Sequence, residues 1–218
     1  MIYHFVSDAN YGAPFIRVLT TFAQRHGVAA TVVWSTLREP ARRRRSLRSV
    51  ARSTEQLVMR RLHPRFELPA IRVKEVNDTV FSERIAQNDI GIVSGFNQIF
   101  KADTLARFQS IVNIHPSVLP LYRGPTPVSA CVRNGERMTG FTFHTVTSKI
   151  DSGPILYQEA MRIDGVQDVA MLSSWLAERG SHVLWRYLEH VINGGPWEAV
   201  TLDARAIYET HVPYASFS

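Results

Sequence analysis

Cysteine is almost absent from this sequence: Cys131 stands alone among 218 residues. One thiol cannot close an internal disulfide, so a reducing, cytoplasmic compartment is the natural setting. Cys131 itself reads as a small core filler more readily than as a nucleophile. Long apolar runs are missing too. No stretch approaches the ~20 residues that span a bilayer, which argues against a membrane partner. The start, Met1 to Ser7, lacks the charged head, apolar stretch and small-residue cleavage site of a secretory leader. Histidine and cysteine are not grouped at metal-ligand spacing: His4, His26, His63 and His190 are scattered, so no metal is expected. Repeats, low-complexity tracts and a clear linker are also absent.

What is present suits a globular enzyme. The apolar share of 45% is ordinary for a soluble domain, and 218 residues make one full α/β core but not two comfortable ones. Residues 1–218 are therefore expected to form a single domain. The net charge of 25 − 19 = +6 is concentrated: ten arginines and two acids lie between Arg38 and Arg65, leaving 15 basic and 17 acidic residues elsewhere. Such a cluster attracts phosphates or nucleic acid, or it is the solvated face of a long connection. No recognised nucleic-acid-binding motif accompanies it, which argues against a nucleic-acid partner.

The first half alternates strand and helix signals. Ile2 to Ser7 reads as a strand, and Pro14 suits the first turn of a helix carrying Phe15, Val18, Leu19 and Phe22 up to a Gly27 cap. Ala29 to Trp34 is β-branched. The arginine-rich stretch, helical in part, offers Leu47, Val50, Leu57 and Val58 as apolar positions before Pro64 and Pro69. Ala70 to Val73 is strand-like, Asn77 or Asp78 can cap a helix with Val80, Phe81 and Ile85, and Ile90 to Ser94 and Ile111 to His115 are short apolar runs. Thr139 to Val146 and Ile155 to Ile163 look like longer strands. A helix then carries Leu172, Leu176, Leu184 and Val191 to its terminator at Asn193-Gly194-Gly195-Pro196. The order predicts an α/β fold: a mostly parallel sheet with helices on both faces and a different, partly antiparallel C-terminal part.

The stretch IVNIHPSVLPLYRG, from Ile111 to Gly124, holds the chemistry. Residues two apart share a strand face, so Asn113 and His115 project together from the C-terminal end, where open α/β sheets bind ligands. An amide can donate to a developing oxyanion, and an imidazole can move a proton near neutral pH. Taken alone, the pair is only suggestive, and an ordinary core or surface histidine is the better reading.

The segment NIHPSVLPLYRG, followed by TGFTFHTVTSKIDSGPILYQ, resembles the 10-formyltetrahydrofolate-dependent formyltransferase family. Asn-x-His-Pro-Ser, a proline-rich loop and an aspartate in an I-D-S-G-P turn occur together, with 151 − 115 = 36 residues from His115 to Asp151. The resemblance implies a Rossmann-like fold and direct formyl transfer to an amine without a metal. It implies that Asn113 bonds the formyl oxygen, that His115 assists proton transfer or stabilises the oxyanion, and that Asp151 orients or charge-couples His115. His144 would support His115, or is a strand histidine with its own partner. VSGFNQIF, at 93–100, resembles the family's pterin-side loop, which puts Phe96, Asn97, Gln98, Ile99 and Phe100 against the folate donor. Val146, Thr147 and Ile150 would close the opposite wall.

The acceptor is less plainly written. LYRGPTPVSACV departs from the histidine-containing pattern of the glycinamide ribonucleotide enzymes and is closer to the R-G-x-x-P form of the tRNA and amino-sugar enzymes. The chain ends without room for the β-barrel with which the methionyl-tRNA enzymes hold tRNA, so the expected acceptor is a small or nucleotide-linked amine, an amino sugar first. Asn10, Tyr11 and Gly12, in SDANYG, are candidates to meet it, and Arg123 to meet an anionic part. The alternative acceptors are a free amino acid or peptide precursor, glycinamide ribonucleotide or methionyl-tRNA, and hydrolysis of the formyl donor is a further reading. Ala204 to Ser218 is either the element of a homodimer or a tail that closes the fold.

Overall fold

The computed structural model describes residues 1–36, 68–194 and 197–209. The arginine cluster with Leu47, Val50, Leu57, Val58 and Pro64, the Gly195-Pro196 terminator and the tail from 210 lie outside the described residues.

The chain opens with β1 (Ile2–Val6), buried at every position. Asp8 then caps α1 (Ala9–His26), its carboxylate accepting from the Asn10 and Tyr11 amides. That cap starts the helix earlier than Pro14 suggests. Pro14 lies inside α1, where its ring forfeits one helical hydrogen bond. Gly27, at φ 63, ends the helix as expected, and its N–H donates to Ala23 O. Next come β2 (Ala30–Ser35), β3 (Ala70–Val73) and a one-turn α2 (Thr79–Ser82) capped by Asp78. They are followed by β4 (Ile90–Ser94), α3 (Ala102–Leu105) and β5 (Ser110–His115). The second half holds α4 (Pro127–Arg133), β6 (Met138–Thr145), β7 (Ile155–Arg162), α5 (Val169–Asn193) and α6 (Ala204–Glu209).

Among the described residues, seven strands form one sheet in the order β3-β2-β1-β4-β5-β6-β7. Neighbours from β3 to β5 run parallel, and β5–β6 and β6–β7 are antiparallel. This is the Rossmann-like arrangement expected from the sequence. α1 and α5 cover one face, where Phe15, Leu19 and Leu184 pack on Ile92, Val112 and Ile114. On the other face Phe5 is met edge-on by Phe81, Phe100 and Phe108 at 5.9, 5.0 and 6.0 Å.

Strand order reverses at β1 and β4, and such switch points form the ligand crevice of open α/β sheets. Here the Ser7 and Asp8 amides both donate to Gly95 O, at 3.0 and 3.2 Å. Cys131 is fully buried beside Thr139, and burial pushes its thiol up to about 11. It packs rather than reacts. No described helix is long and apolar enough to cross a membrane.

Candidate active site

Alternation along β5 sends Val112 and Ile114 to the α1/α5 face and Asn113 and His115 to the other. Register then places Asn113 beside Val93 of β4 and opposite His144 of β6, so His144 shares its face. Asp151 arrives from the loop between β6 and β7, which folds tightly onto the end of β6. Thr145 N–H donates to Pro154 O at 2.9 Å, and a Cβ on Gly153 would stand 1.8 Å from Thr145 O, so only glycine fits. Asp151 itself adopts φ 44, a left-handed conformation that Asp tolerates better than most side chains.

The three side chains converge. Asn113 Nδ2 lies 3.3 Å from Asp151 Oδ1 and 3.0 Å from His144 Nε2. His115 Nδ1 lies 3.5 Å from Asp151 Oδ2, and His144 Nε2 lies 3.6 Å from Oδ1. Gly124 N–H donates to Asp151 Oδ2 at 2.8 Å. The side chains of His115 and Asp151 are only 4% and 12% exposed, so their charges meet little water.

Hydrogen bonding fixes the tautomers. His115 Nε2 is 2.8 Å from Tyr122 O, and a carbonyl only accepts, so Nε2 carries the proton and Nδ1 keeps a lone pair facing Asp151. The same logic at Thr145 O, 3.0 Å away, puts the His144 proton on Nδ1 and leaves Nε2 to accept from Asn113. The Asn113 amide must then be oriented as found, because its oxygen would otherwise oppose Asp151.

Burial holds the His115 pKa below the ordinary imidazole value, with His144 acting in the same sense. The Asp151 charge and the Tyr122 carbonyl oppose this without cancelling it. Burial also works to raise Asp151, but its contact with His144, the proximity of His115 and the Gly124 N–H outweigh it. Its carboxyl stays below the usual range. At neutral pH the pair is a neutral base beside a carboxylate.

The remaining candidates divide. Ile99 and Ile150 are exposed, at 56% and 53%, on the loops after β4 and β6. Phe96 and Val146 pack partly against the Phe5 cluster, and Thr147 donates to Lys149 O at 3.1 Å. Phe100 is buried in that cluster and is core rather than a ligand contact. The amide of Gln98 is consumed by Ser35, Lys74 and Val76, so it pins the loop instead of meeting a ligand. Asn97 accepts from Ser7 Oγ at 2.8 Å across the switch point.

Two of the acceptor candidates are corrected. Tyr11 is buried and donates to Ile114 O at 3.1 Å, because the apolar stripe of α1 turns its ring into the core. Gly12 serves close helix–strand packing, since a Cβ there would lie 2.5 Å from Val6 Cγ1. Asn10 and Arg123 are exposed.

Sequence reasoning missed the support beneath the site. Ser117, Thr142 and Gln158 are buried and tie the loop after β5 to β6 and β7. Thr142 Oγ1 donates to Ser117 O at 2.7 Å, and Gln158 Nε2 donates to Leu119 O at 2.9 Å. Alternation along FTFHTV already placed Thr142 on the His144 face, which was the available signal. The main-chain partners Tyr122 O and Gly124 N–H carry no side-chain signature.

Residues 16–188 match the protein-family model described as Formyl transferase. A methionyl-tRNA formyltransferase from Roseiflexus sp. (strain RS-1) is 34% identical over 172 residues, covering 78% of this chain and 51% of that protein. The chain thus spans about half the length of the curated relatives it matches. Among solved structures, glycinamide ribonucleotide transformylase 1 from Symbiobacterium toebii superposes with a TM-score of 0.61 at 19% identity, covering 93% of each chain. The N-formyltransferase from Helicobacter canadensis, in complex with folinic acid and dTDP-3-aminofucose, gives 0.62 at 18%, covering 94% of this chain and 68% of its own. At these identities the likeness is one of fold.

Proposed function

The chain belongs to the formyl transferase family, and on that premise we propose that it moves a formyl group from 10-formyltetrahydrofolate to a primary amine. The observation that carries this reading is the convergence of Asn113, His115 and Asp151 at the sheet's C-terminal end. The donor supplies an N-formyl group, an acyl group already activated for transfer, so positioning and charge stabilisation suffice.

His115 Nδ1 takes the proton of the amine as its nitrogen adds to the formyl carbon. Asp151 Oδ2, 3.5 Å away, balances the imidazolium that forms. Asn113 Nδ2 shifts one N–H from its 3.3 Å contact with Asp151 to the oxygen on which negative charge develops. His115 then returns the proton to the departing donor nitrogen as the carbon–nitrogen bond breaks. Formyl and proton thus exchange places between two nitrogens, with no net redox change. The folate end is supported by exposed Ile99 and Ile150, one on each flanking loop, together with Val146 and the main chain of 96–99.

The acceptor we carry forward is an amino sugar on a nucleotide. It rests on the R-G-x-x-P stretch that begins at exposed Arg123, on exposed Asn10, and on the Helicobacter canadensis neighbour with its dTDP-linked aminofucose. Methionyl-tRNA is the second reading, favoured by identity to the Roseiflexus enzyme. A cytoplasmic setting fits the lone buried thiol. Incubation with 10-formyltetrahydrofolate and a panel of amines, following tetrahydrofolate release, tests the transfer and its acceptor. Release that requires the dTDP-linked amino sugar is expected. Release only with methionyl-tRNA selects the second reading, and equal release without any amine means a hydrolase.

A further inference from the structure

We propose that Tyr122 and Glu136 form a positioning pair that sets the tautomer of His115, and so decides which ring nitrogen receives the acceptor's proton. The inference rests on the transfer reading above and deepens it.

Neutral His115 has one ring proton and two acceptors competing for it. Tyr122 O lies 2.8 Å from Nε2, and Asp151 Oδ2 lies 3.5 Å from Nδ1. The shorter contact wins the proton, and only then does Nδ1 keep the lone pair that the reaction needs. Should the carbonyl move away, the proton transfers to Nδ1 and pairs with Asp151. The base is then spent before the amine arrives.

What aims that carbonyl is an unusual backbone. Tyr122 has φ 57, and among the described residues only Tyr122 and Asp151 combine a side chain with positive φ. A bulky residue keeps that conformation only where its surroundings hold it. Three contacts do so here. The Tyr122 hydroxyl donates to the Glu136 carboxylate and accepts from Asn134 Nδ2 at 2.9 Å, and the ring meets Tyr208 of α6 edge-on at 5.1 Å. Tyr208 in turn accepts the Val118 N–H at 3.1 Å, and Ser117 Oγ donates to Leu121 O at 2.9 Å, which braces the same loop from below. The Tyr122 hydroxyl bonds none of Asn113, His115 or Asp151. Its effect on chemistry must run through its own main chain.

The full chain, labelled with ¹⁵N-histidine, reports the tautomer directly by imidazole NMR without any substrate. Glu136→Gln retains an acceptor for the Tyr122 hydroxyl, whereas Glu136→Ala and Tyr122→Phe abolish the contact. The first should keep His115 as the Nε2–H form with wild-type kcat. The other two should populate the Nδ1–H form and lose kcat by about tenfold with the donor KM unchanged. Glu136 is only half-buried, so its truncation leaves the core intact and circular dichroism checks this. A single Nε2–H tautomer in both Glu136→Ala and Tyr122→Phe overturns the proposal. If wild-type protein transfers formyl to no amine, the transfer reading fails, while the tautomer comparison still decides the role of the pair.

Discussion

At the scale of single residues, burial and charge pull against each other at His115, and the outcome gives a pH signature. Burial keeps the imidazole neutral to a lower pH than usual, and Asp151 restores part of its basicity. The acid limb of kcat/KM should therefore fall below the ordinary imidazole pKa. Removing the carboxylate removes the influence that raises His115, so Asp151→Asn should move that limb to still lower pH. The same variant should cut the plateau by roughly 10²–10⁴-fold, because the imidazolium loses its counter-charge. A pH–rate profile of wild type and variant checks both. An unshifted limb would mean that the carboxylate and the ring are not coupled.

At the scale of elements, backbone placement matters more than side-chain identity. Gly153 is the hinge of the loop that delivers Asp151, and its missing Cβ faces a main-chain oxygen that cannot yield. Gly153→Ala should displace the loop, reduce stability by about 1–3 kcal/mol and abolish most transfer, read by urea unfolding and turnover. Gly12→Ala meets only a Val6 side chain, so a smaller loss with retained turnover is expected. The difference between the two explains what could be read from sequence. Asn113, His115 and His144 sit on regular strands, where period-two alternation fixes the face, and Asp151 follows a turn signature. Tyr11 lies in the first turn of α1, and Gln98 and Phe100 in the loop after β4, where sequence does not distinguish a side chain facing a ligand from one turned inward. Gln98 is polar yet spent on Ser35 and Val76, and Tyr11 hides a satisfied hydroxyl in the core. The main-chain carbonyl of Tyr122 leaves no trace in sequence at all.

At the scale of the whole molecule, the fold carries a buried histidine that the chemistry does not use. His4, in the middle of β1, is fully buried and pushed down to about 3 by that burial, with Ser94 Oγ at 2.7 Å from Nε2. Its folded pKa lies below the unfolded value of 6.5, so the unfolded chain binds a proton that the native protein refuses. Stability is therefore retained above the unfolded value and declines as pH falls toward the folded one, at about 1.4 kcal/mol per pH unit for one proton. His4→Gln should flatten the fall in urea midpoint between about pH 6 and pH 4 by that one proton. An unchanged slope would place the acid sensitivity elsewhere.

The proposed transfer rests on one arrangement, an amide, an imidazole and a carboxylate brought together from β5 and the β6–β7 loop. Single-turnover formyl transfer by His115→Ala, by Asp151→Asn and by the double variant measures that directly. Each single change should slow transfer by about 10²-fold or more, and the double variant should be little worse than the slower single one, because the groups act together. Transfer at the wild-type rate by either folded single variant would contradict the account.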